Sequence, residues 1–241
     1  MKLLCVIPAR FASVRFPGKP LAEIGGKPMI RWVYEAVIAA NVFDHVTVAT
    51  DHDAIADRVC AFGGAVELTR SDHPSGTDRV AEVASRRTEF DVVANIQGDQ
   101  PFVTADMLRA LVSPYQNGEN PEMATVACPL PESGVNDPNT VKVLLDRHGY
   151  AIYFSRSPIP YYRERHVAPV RFHLGLYAFQ RKFLTEYAKM DPTPLERCEQ
   201  LEQLRVLENG HRIRVSEVAA PVLEVNTPED LIRANALVSY K

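Results

Sequence analysis

The sequence has few cysteines, and none of them stands in a paired motif. Only four occur in 241 residues, at positions 5, 60, 128 and 198, and no C-x-x-C spacing is present. The absence of such a pair argues against a zinc knuckle and against a thioredoxin-type redox motif. Because all four lie in apolar or helical surroundings, we expect reduced thiols with a structural role.

The sequence also lacks an apolar run of membrane-spanning length, a signal-peptide pattern at its start, internal repeats and low-complexity segments. Its formal net charge is only −3, from 27 Lys and Arg against 30 Asp and Glu. This balance gives no reason to expect nonspecific binding to nucleic acid or to an anionic membrane. We therefore expect a cytoplasmic enzyme in which any positively charged site is local.

Strand and helix patterns alternate through the first hundred residues, with short connections between them. The predicted strands are 3–7, 45–50, 66–68 and 92–96, and the predicted helices are 29–40, 54–62, 77–85 and 104–112. This order is typical of right-handed βαβ units and a mostly parallel sheet.

The pattern changes after about Gly118, where prolines and glycines become frequent. Segments 141–145 and 150–154 predict a hairpin, and 172–179 predicts another strand. We therefore expect residues 120–180 to form an additional, smaller antiparallel sheet, inserted in or appended to the parallel core and used for dimerisation. The predicted fold class is α/β, with residues 1–241 as a single domain in which helices flank a mostly parallel nucleotide-binding sheet.

The end of the chain returns to helix. An amphipathic pattern predicts one helix over 194–208, with Gly210 after its end. A short strand over 213–218 follows. Thr227 then has the features of an N-cap, since proline occupies the next position and carboxylates fill the first turn.

The loop after the first strand carries three cations, Arg10, Arg15 and Lys19. Cations held beside a strand end suit a polyphosphate ligand. A solvated loop whose charges only favour solubility would look the same, and this stretch alone does not decide between the two.

Two further loops carry candidate ligand-binding residues, one after the strand 92–96 and one before the helix 77–85. Asp99 comes directly after the strand 92–96, where a loop carboxylate can meet a ligand, and a carboxylate beside polyphosphate commonly binds Mg²⁺. A simple turn is the alternative. The loop 73–79 leads into a helix whose first N–H groups can bind an anion, whereas N-capping by Ser75 or Thr77 explains the same residues structurally.

Taken in order, these motifs closely resemble the 3-deoxy-manno-octulosonate (Kdo) cytidylyltransferases. The most specific are His-Pro-Ser-Gly-Thr-Asp-Arg at 73–79 and Ser-Arg-Ser-Pro-Ile-Pro at 155–160. The other matching segments are 7–10, 17–21, 26–30, 48–51, 95–99, 153–154, 173–177, 194–196, 201–205, 207–210 and 225–231. The resemblance therefore covers the chain from end to end.

The resemblance implies that the anomeric hydroxyl of Kdo attacks the α-phosphate of CTP and gives CMP-Kdo and diphosphate for lipopolysaccharide biosynthesis. It implies a homodimer that uses Mg²⁺ and binds CTP and a Kdo-type sugar acid, but neither nucleic acid nor membrane. The implied catalytic residues are Arg10, Lys19 and Asp99. The implied CTP-binding residues are Ala9, Arg10, Ser13, Lys19, Ser75, Gly76 and Thr77. The implied sugar-binding residues are Arg79, Gln97, Arg156, His173, Tyr177, Glu202 and Gln203, and the implied metal ligands are Asp99 and Asn226.

The residues alone leave some of these roles open. His173 and Tyr177 fall on one face of a strand and would also fit a packed polar pair. Glu202 and Gln203 would also fit a solvated helix face. Arg156 is harder to explain structurally, because its guanidinium suits bidentate binding of a carboxylate.

One position departs from the family pattern, which generally has a metal-binding Asp where this chain has Asn226. An amide oxygen can coordinate Mg²⁺ but brings no charge, so a second metal site would be weaker. The change could accompany a Kdo analogue such as 8-amino-Kdo. Another sugar acid and a CTP-binding regulator without turnover are the remaining alternatives.

Overall fold

The computed structural model describes residues 1–12, 16–164 and 170–239, so that Ser13 and Arg15 lie outside the described residues. The helices are α1 (Met29–Ala40), α2 (Asp53–Ala61), α3 (Gly76–Arg86), α4 (Ala105–Gln116), α5 (Arg181–Tyr187), α6 (Pro194–Glu199), α7 (Leu204–Glu208) and α8 (Pro228–Ser239). The strands are β1 (Leu3–Ala9), β2 (Glu23–Ile24), β3 (Lys27–Pro28), β4 (His45–Thr50), β5 (Val66–Leu68), β6 (Val92–Asn95), β7 (Met123–Pro129), β8 (Lys142–Leu145), β9 (Ala151–Ser155), β10 (Val170–Gln180) and β11 (Ile213–Glu217).

The chain folds into two compact units. The first contains residues 1–109 and 222–241, and the second contains residues 110–221. The first unit therefore takes both ends of the chain, while the second is one continuous segment.

The first unit is built on a parallel sheet with the order β6-β1-β4-β5. All seven residues of β1 are buried, because this strand has a neighbour on each side and helices cover the sheet. Val6 of β1 lies opposite Asn95 of β6, so the loops that follow these two strands leave the same edge of the sheet. The predicted βαβ organisation is confirmed, and this edge is where ligands bind in open α/β sheets.

A two-stranded antiparallel sheet, β2–β3, follows the basic loop. Its turn is Gly25-Gly26, with φ of 57° and 76°, and such backbone angles favour glycine. Val238 of α8 packs closely against this turn, since a Cβ on Gly25 would lie 2.8 Å from Val238 Cγ1. Val238 also packs against a buried apolar cluster made of Ile24, Met29, Val225 and Ala234. The last segment of the chain is thereby fixed beside the loops at the edge of the parallel sheet.

Two predicted N-caps in the first unit are confirmed, Ser75 (one of the two candidates, Ser75 and Thr77) and Thr227. Ser75 Oγ accepts a hydrogen bond from Asp78 N at 3.1 Å, and Ser75 N donates to Asp78 Oδ2 at 3.0 Å. The same reciprocal pattern opens α8, where Thr227 Oγ1 accepts from Asp230 N at 3.2 Å. These capping boxes set the direction of both helices.

The second unit contains the strands β11, β7, β10, β8 and β9. The pairs β7–β10, β10–β8 and β8–β9 are antiparallel, as expected for this part of the chain, while β11 runs parallel to β7. Strand β7 was absent from the sequence prediction. All of its residues but the last are buried, and a short, continuously buried run has no alternating pattern to identify it.

The single helix predicted over 194–208 is wrong. Two short helices, α6 and α7, occupy this segment, and Gln200 between them adopts left-handed backbone angles with φ 54° and ψ 48°. A capping box between Thr193 and Glu196 starts α6, and the turn at Gln200 ends it. The apolar spacing does not indicate a break at Gln200, because glutamine rarely takes this conformation.

Candidate active site

A pocket opens at the edge of the parallel sheet in the first unit. It is lined by Pro8, Ala9, Arg10, Ala12, Lys19, Pro20, Gly76, Gln97, Gly98 and Asp99. The loop after β1, the loop after β6 and the first residue of α3 therefore meet at one place. These are the three stretches in which the sequence located candidate chemistry.

Lys19 lies at the centre of this site. Its Nζ donates to Asp99 Oδ2 at 2.7 Å and to Asn226 Oδ1 at 3.4 Å. The Lys19 side chain is 15% exposed and that of Asp99 is 25% exposed, so the pair is shielded but open to a ligand. The two proposed metal ligands thus converge on one cation, although they come from distant parts of the chain.

Glu224 is part of the same site, and the sequence analysis missed it. Its Oε1 accepts from Gln100 Nε2 at 2.9 Å, and its Oε2 accepts from Asn226 Nδ2 at 3.3 Å. Burial and the nearby Asp99 raise the pKa of the Glu224 carboxyl above its usual value. The signal in the sequence is the spacing of two between positions 224 and 226, which places both side chains on one side of an extended segment.

Arg10 extends the basic wall of the pocket. Its Nη1 donates to Pro74 O at 3.4 Å, so the guanidinium is attached to the loop before α3. Ala9, at the end of β1, is buried. Two of the three cations predicted for this loop, Arg10 and Lys19, therefore line the pocket.

The pocket wall is close-packed where two glycines occur. A Cβ on Gly98 would lie 3.0 Å from Pro8 O, and a Cβ on Gly76 would lie 3.5 Å from Gln97 Oε1. The first contact is tight because a backbone oxygen cannot move aside easily. Glycine at these positions keeps the space between the two loops open.

Gln97 is oriented by a chain of buried side chains. Its Nε2 donates to Asn95 Oδ1 at 3.0 Å, and Asn95 Nδ2 donates to Thr77 Oγ1 at 3.0 Å. Gln97 Oε1 lies on the side of Gly76, at the pocket wall. The network thus ties the loop after β6 to the first turn of α3 and fixes which end of the amide is an acceptor.

Arg79 is fully buried, with 0% exposure. Its Nη2 lies 3.1 Å from Asp51 Oδ2, and its Nη1 donates to Thr69 Oγ1. The guanidinium therefore fastens α3 to the segments that follow β4 and β5. Sugar binding by Arg79 stays a prediction.

His173, Tyr177 and Gln203 form one buried network in the second unit. Gln203 Nε2 lies 3.4 Å from His173 Nδ1, and Tyr177 OH donates to Gln203 Oε1 at 3.2 Å. His173 Nε2 lies 3.0 Å from Thr125 Oγ1, which donates to Leu176 O, so the ring donates through Nε2 and accepts through Nδ1. Burial lowers the pKa of His173 to about 3, and the ring is therefore neutral near pH 7.

Arg156 is held by backbone oxygens in the second unit. Its Nε donates to Glu199 O at 2.8 Å, its Nη1 to Pro138 O at 2.9 Å and its Nη2 to Gln200 O at 3.3 Å. Carbonyl partners fix the guanidinium without neutralising its charge.

Glu202 is half-buried and lines a shallow depression with Gln200. Arg156 and Glu202 are thus both near Gln200.

Within residues 1–12, 16–164 and 170–239, no three His, Cys, Asp or Glu side chains gather as a metal-binding cluster. The oxygen pair at Asp99 and Asn226 is smaller than such a cluster. None of the helices in the described ranges has both the length and the apolar character needed to span a membrane.

Comparison with known proteins identifies the family of the chain. A family model described as cytidylyltransferase matches residues 4–213. The 3-deoxy-manno-octulosonate cytidylyltransferase of Synechococcus elongatus is 57% identical over 100% of both chains, and that of Acaryochloris marina is 55% identical over 99% of this chain and 98% of its own.

Solved structures give the same result. A structure of CMP:2-keto-3-deoxy-manno-octonic acid synthetase complexed with CTP matches with a TM-score of 0.95 and 40% identity, over 100% of this chain and 99% of that one. A 4-diphosphocytidyl-2C-methyl-D-erythritol synthase from Anaerococcus prevotii shares the fold at 15% identity, with a TM-score of 0.65 over 99% of both chains. The resemblance seen in the motifs is confirmed: the chain belongs to the cytidylyltransferase family and, within it, to the 3-deoxy-manno-octulosonate cytidylyltransferases.

Proposed function

We propose that this chain transfers CMP from CTP to the anomeric hydroxyl of Kdo and releases CMP-Kdo and diphosphate, a step in lipopolysaccharide biosynthesis. Relatives named for this activity match it along its whole length. The observation in the chain that supports the proposal best is the pocket in which Arg10, Lys19 and Asp99 meet at the edge of the parallel sheet. The test is release of diphosphate when the purified protein is given CTP, Mg²⁺ and Kdo.

The reaction displaces diphosphate from the α-phosphorus of CTP. A bond forms between the anomeric oxygen and this phosphorus, while the bond to the bridging oxygen of the diphosphate breaks. Negative charge accumulates on phosphate oxygens, so cations already in place contribute most to the rate. We assign this role to Lys19 and Arg10, with Ala9, Ser13, Ser75, Gly76 and Thr77 around the nucleotide.

Mg²⁺ is the proposed cofactor, and the donors present suit it. Asp99 Oδ2 and Asn226 Oδ1 both face Lys19 Nζ, at 2.7 and 3.4 Å, so two oxygens point at one cationic position. Hard divalent ions prefer such oxygen donors. When bound, the ion supplies positive charge against the phosphate oxygens. Asp99 and Asn226 are the residues that would hold it.

We assign sugar-acid binding to the residues that the resemblance implies, which are Arg79, Gln97, Arg156, His173, Tyr177, Glu202 and Gln203. Arg156 suits the carboxylate because its charge is fixed by neutral carbonyl groups. Both ring nitrogens of neutral His173 are engaged by Thr125 and Gln203, so a sugar hydroxyl at the ring would replace one of these partners. An 8-amino analogue is the second candidate substrate, favoured only by the loss of charge at Asn226. Parallel turnover measurements with Kdo and 8-amino-Kdo decide between the two sugars.

The proposal includes a homodimer formed through residues 120–180. Ile152 and Tyr161 in this region are large, exposed apolar side chains, which is consistent with an interface. Light scattering after gel filtration tests it, since a single mass of one chain would contradict it. The cytoplasmic location expected from the sequence stays a prediction, for which fractionation of cells is the test.

A further inference from the structure

Asn226 presents a chemical problem that an aspartate would not have. A carboxylate offers oxygen on both sides, whereas a carboxamide has one accepting oxygen and one donating nitrogen. Only the oxygen can face a cation favourably. If the carboxamide were flipped by 180°, its NH₂ group would point at Lys19 and at any bound metal ion. Some other group must therefore hold the amide in the useful orientation.

Glu224 is in the position to do this. Its Oε2 accepts from Asn226 Nδ2 at 3.3 Å, while Asn226 Oδ1 lies 3.4 Å from Lys19 Nζ. The carboxylate therefore occupies the nitrogen end of the amide and the ammonium occupies the oxygen end. A carboxylate can only accept in this contact, so the reversed amide would place oxygen against oxygen.

Glu224 is itself held firmly. Its second oxygen accepts from Gln100 Nε2 at 2.9 Å, and Gln100 is buried. Val225 N donates to Asp99 O at 2.9 Å, which joins the backbone of this segment to the loop that carries Asp99. Both oxygens of Glu224 are thus engaged by amide N–H groups. The carboxylate is therefore placed to orient Asn226.

We propose that Glu224 is a positioning residue that holds the Asn226 carboxamide with its oxygen toward Lys19 and the metal position. This inference rests on the proposed function, because it assigns Glu224 a task at the CTP and metal site. Groups that orient a ligand through a hydrogen bond often matter nearly as much as the ligand itself. Removal of Glu224 should therefore weaken metal binding through Asn226.

The test uses Mn²⁺ as the probe and measures its binding by electron paramagnetic resonance in the presence of CTP without sugar. Glu224→Ala removes the acceptor and should raise the Mn²⁺ dissociation constant about tenfold or more. In the Asn226→Asp background, adding Glu224→Ala should change the dissociation constant by less than about threefold, because a carboxylate at 226 has no wrong orientation. Glu229→Ala, an exposed carboxylate in the first turn of α8, is the matched control and should leave binding unchanged.

Asn226→Asp alone and the double variant carry the same added charge at 226, so any difference between them comes from the loss of Glu224. Wild-type Mn²⁺ affinity in Glu224→Ala would overturn the inference. A loss of affinity from Glu224→Ala that is as large in the Asn226→Asp background as in the wild type would also overturn it, since it would mean that Glu224 only supports the local fold. Absence of Mn²⁺ binding to the wild type with CTP would overturn both this inference and the metal ligands proposed above. Turnover of CTP and Kdo, measured separately, reports on the reaction itself.

Discussion

Replacing Asp99 with asparagine keeps the size of the side chain and removes its charge. In the wild type, Asp99 Oδ2 lies 2.7 Å from Lys19 Nζ, and both side chains keep some exposure to solvent. A partly exposed pair of this kind contributes about 1 kcal/mol or less to stability. The loss of a group that stabilises transition-state charge costs more, at least about 10²-fold in turnover or about 2.7 kcal/mol.

The two magnitudes separate catalysis from folding. We expect Asp99→Asn to lower the rate of diphosphate release at least about 10²-fold, while its unfolding free energy in urea changes by about 1 kcal/mol or less. Initial rates at saturating CTP and Kdo give the first quantity, and a denaturation midpoint with an unchanged slope gives the second. Near-normal turnover would refute the assignment of Asp99 to the reacting phosphates. A stability loss large enough to explain the lost activity would refute the argument from charge.

Three further predictions follow from single side chains. Lys19→Gln should raise the KM for CTP and lower kcat, so that kcat/KM falls about tenfold or more. The reason is that the Lys19 ammonium binds phosphate in both the ground state and the transition state. Unchanged kinetics would contradict this. Gly98→Ala should weaken CTP binding in calorimetry, since its Cβ would lie 3.0 Å from Pro8 O, and unaltered affinity would show that the loops separate easily. Because of His173, the free energy of unfolding should fall by about 2 kcal/mol between pH 7 and pH 5. In the unfolded chain this side chain has its ordinary pKa of 6.5 and takes up a proton over that range. In the folded protein its pKa is about 3 and it stays neutral. His173→Asn should lack that part of the pH dependence in urea titrations, and an identical dependence would contradict burial of a neutral ring.

The sequence predicted the first unit well because its signals are local. Apolar runs at 45–50 and 66–68 gave strands with the bounds that the structure has, and the helix at 29–40 likewise. The rule that ligands meet the carboxyl ends of parallel strands then located Lys19 and Asp99 at one site without coordinates.

What the sequence could not predict depends on contacts between distant residues or on unusual backbone angles. Glu224 belongs to the site only because Gln100 and Asn226 both donate to it. The break at Gln200 depends on a left-handed backbone conformation, and the sequence has no glycine or asparagine there to predict it. The fixing of Arg156 by three carbonyls depends on loops that the sequence pattern does not bring together.

The central claim is that the pocket transfers CMP to Kdo. The direct measurement incubates the purified protein with CTP, Mg²⁺ and Kdo, follows diphosphate release and identifies the sugar product by mass spectrometry. We expect equal amounts of diphosphate and CMP-Kdo, with no release when Kdo or Mg²⁺ is omitted and little release by Asp99→Asn. Tight binding of CTP without diphosphate release would contradict it, as would turnover of 8-amino-Kdo in clear preference to Kdo.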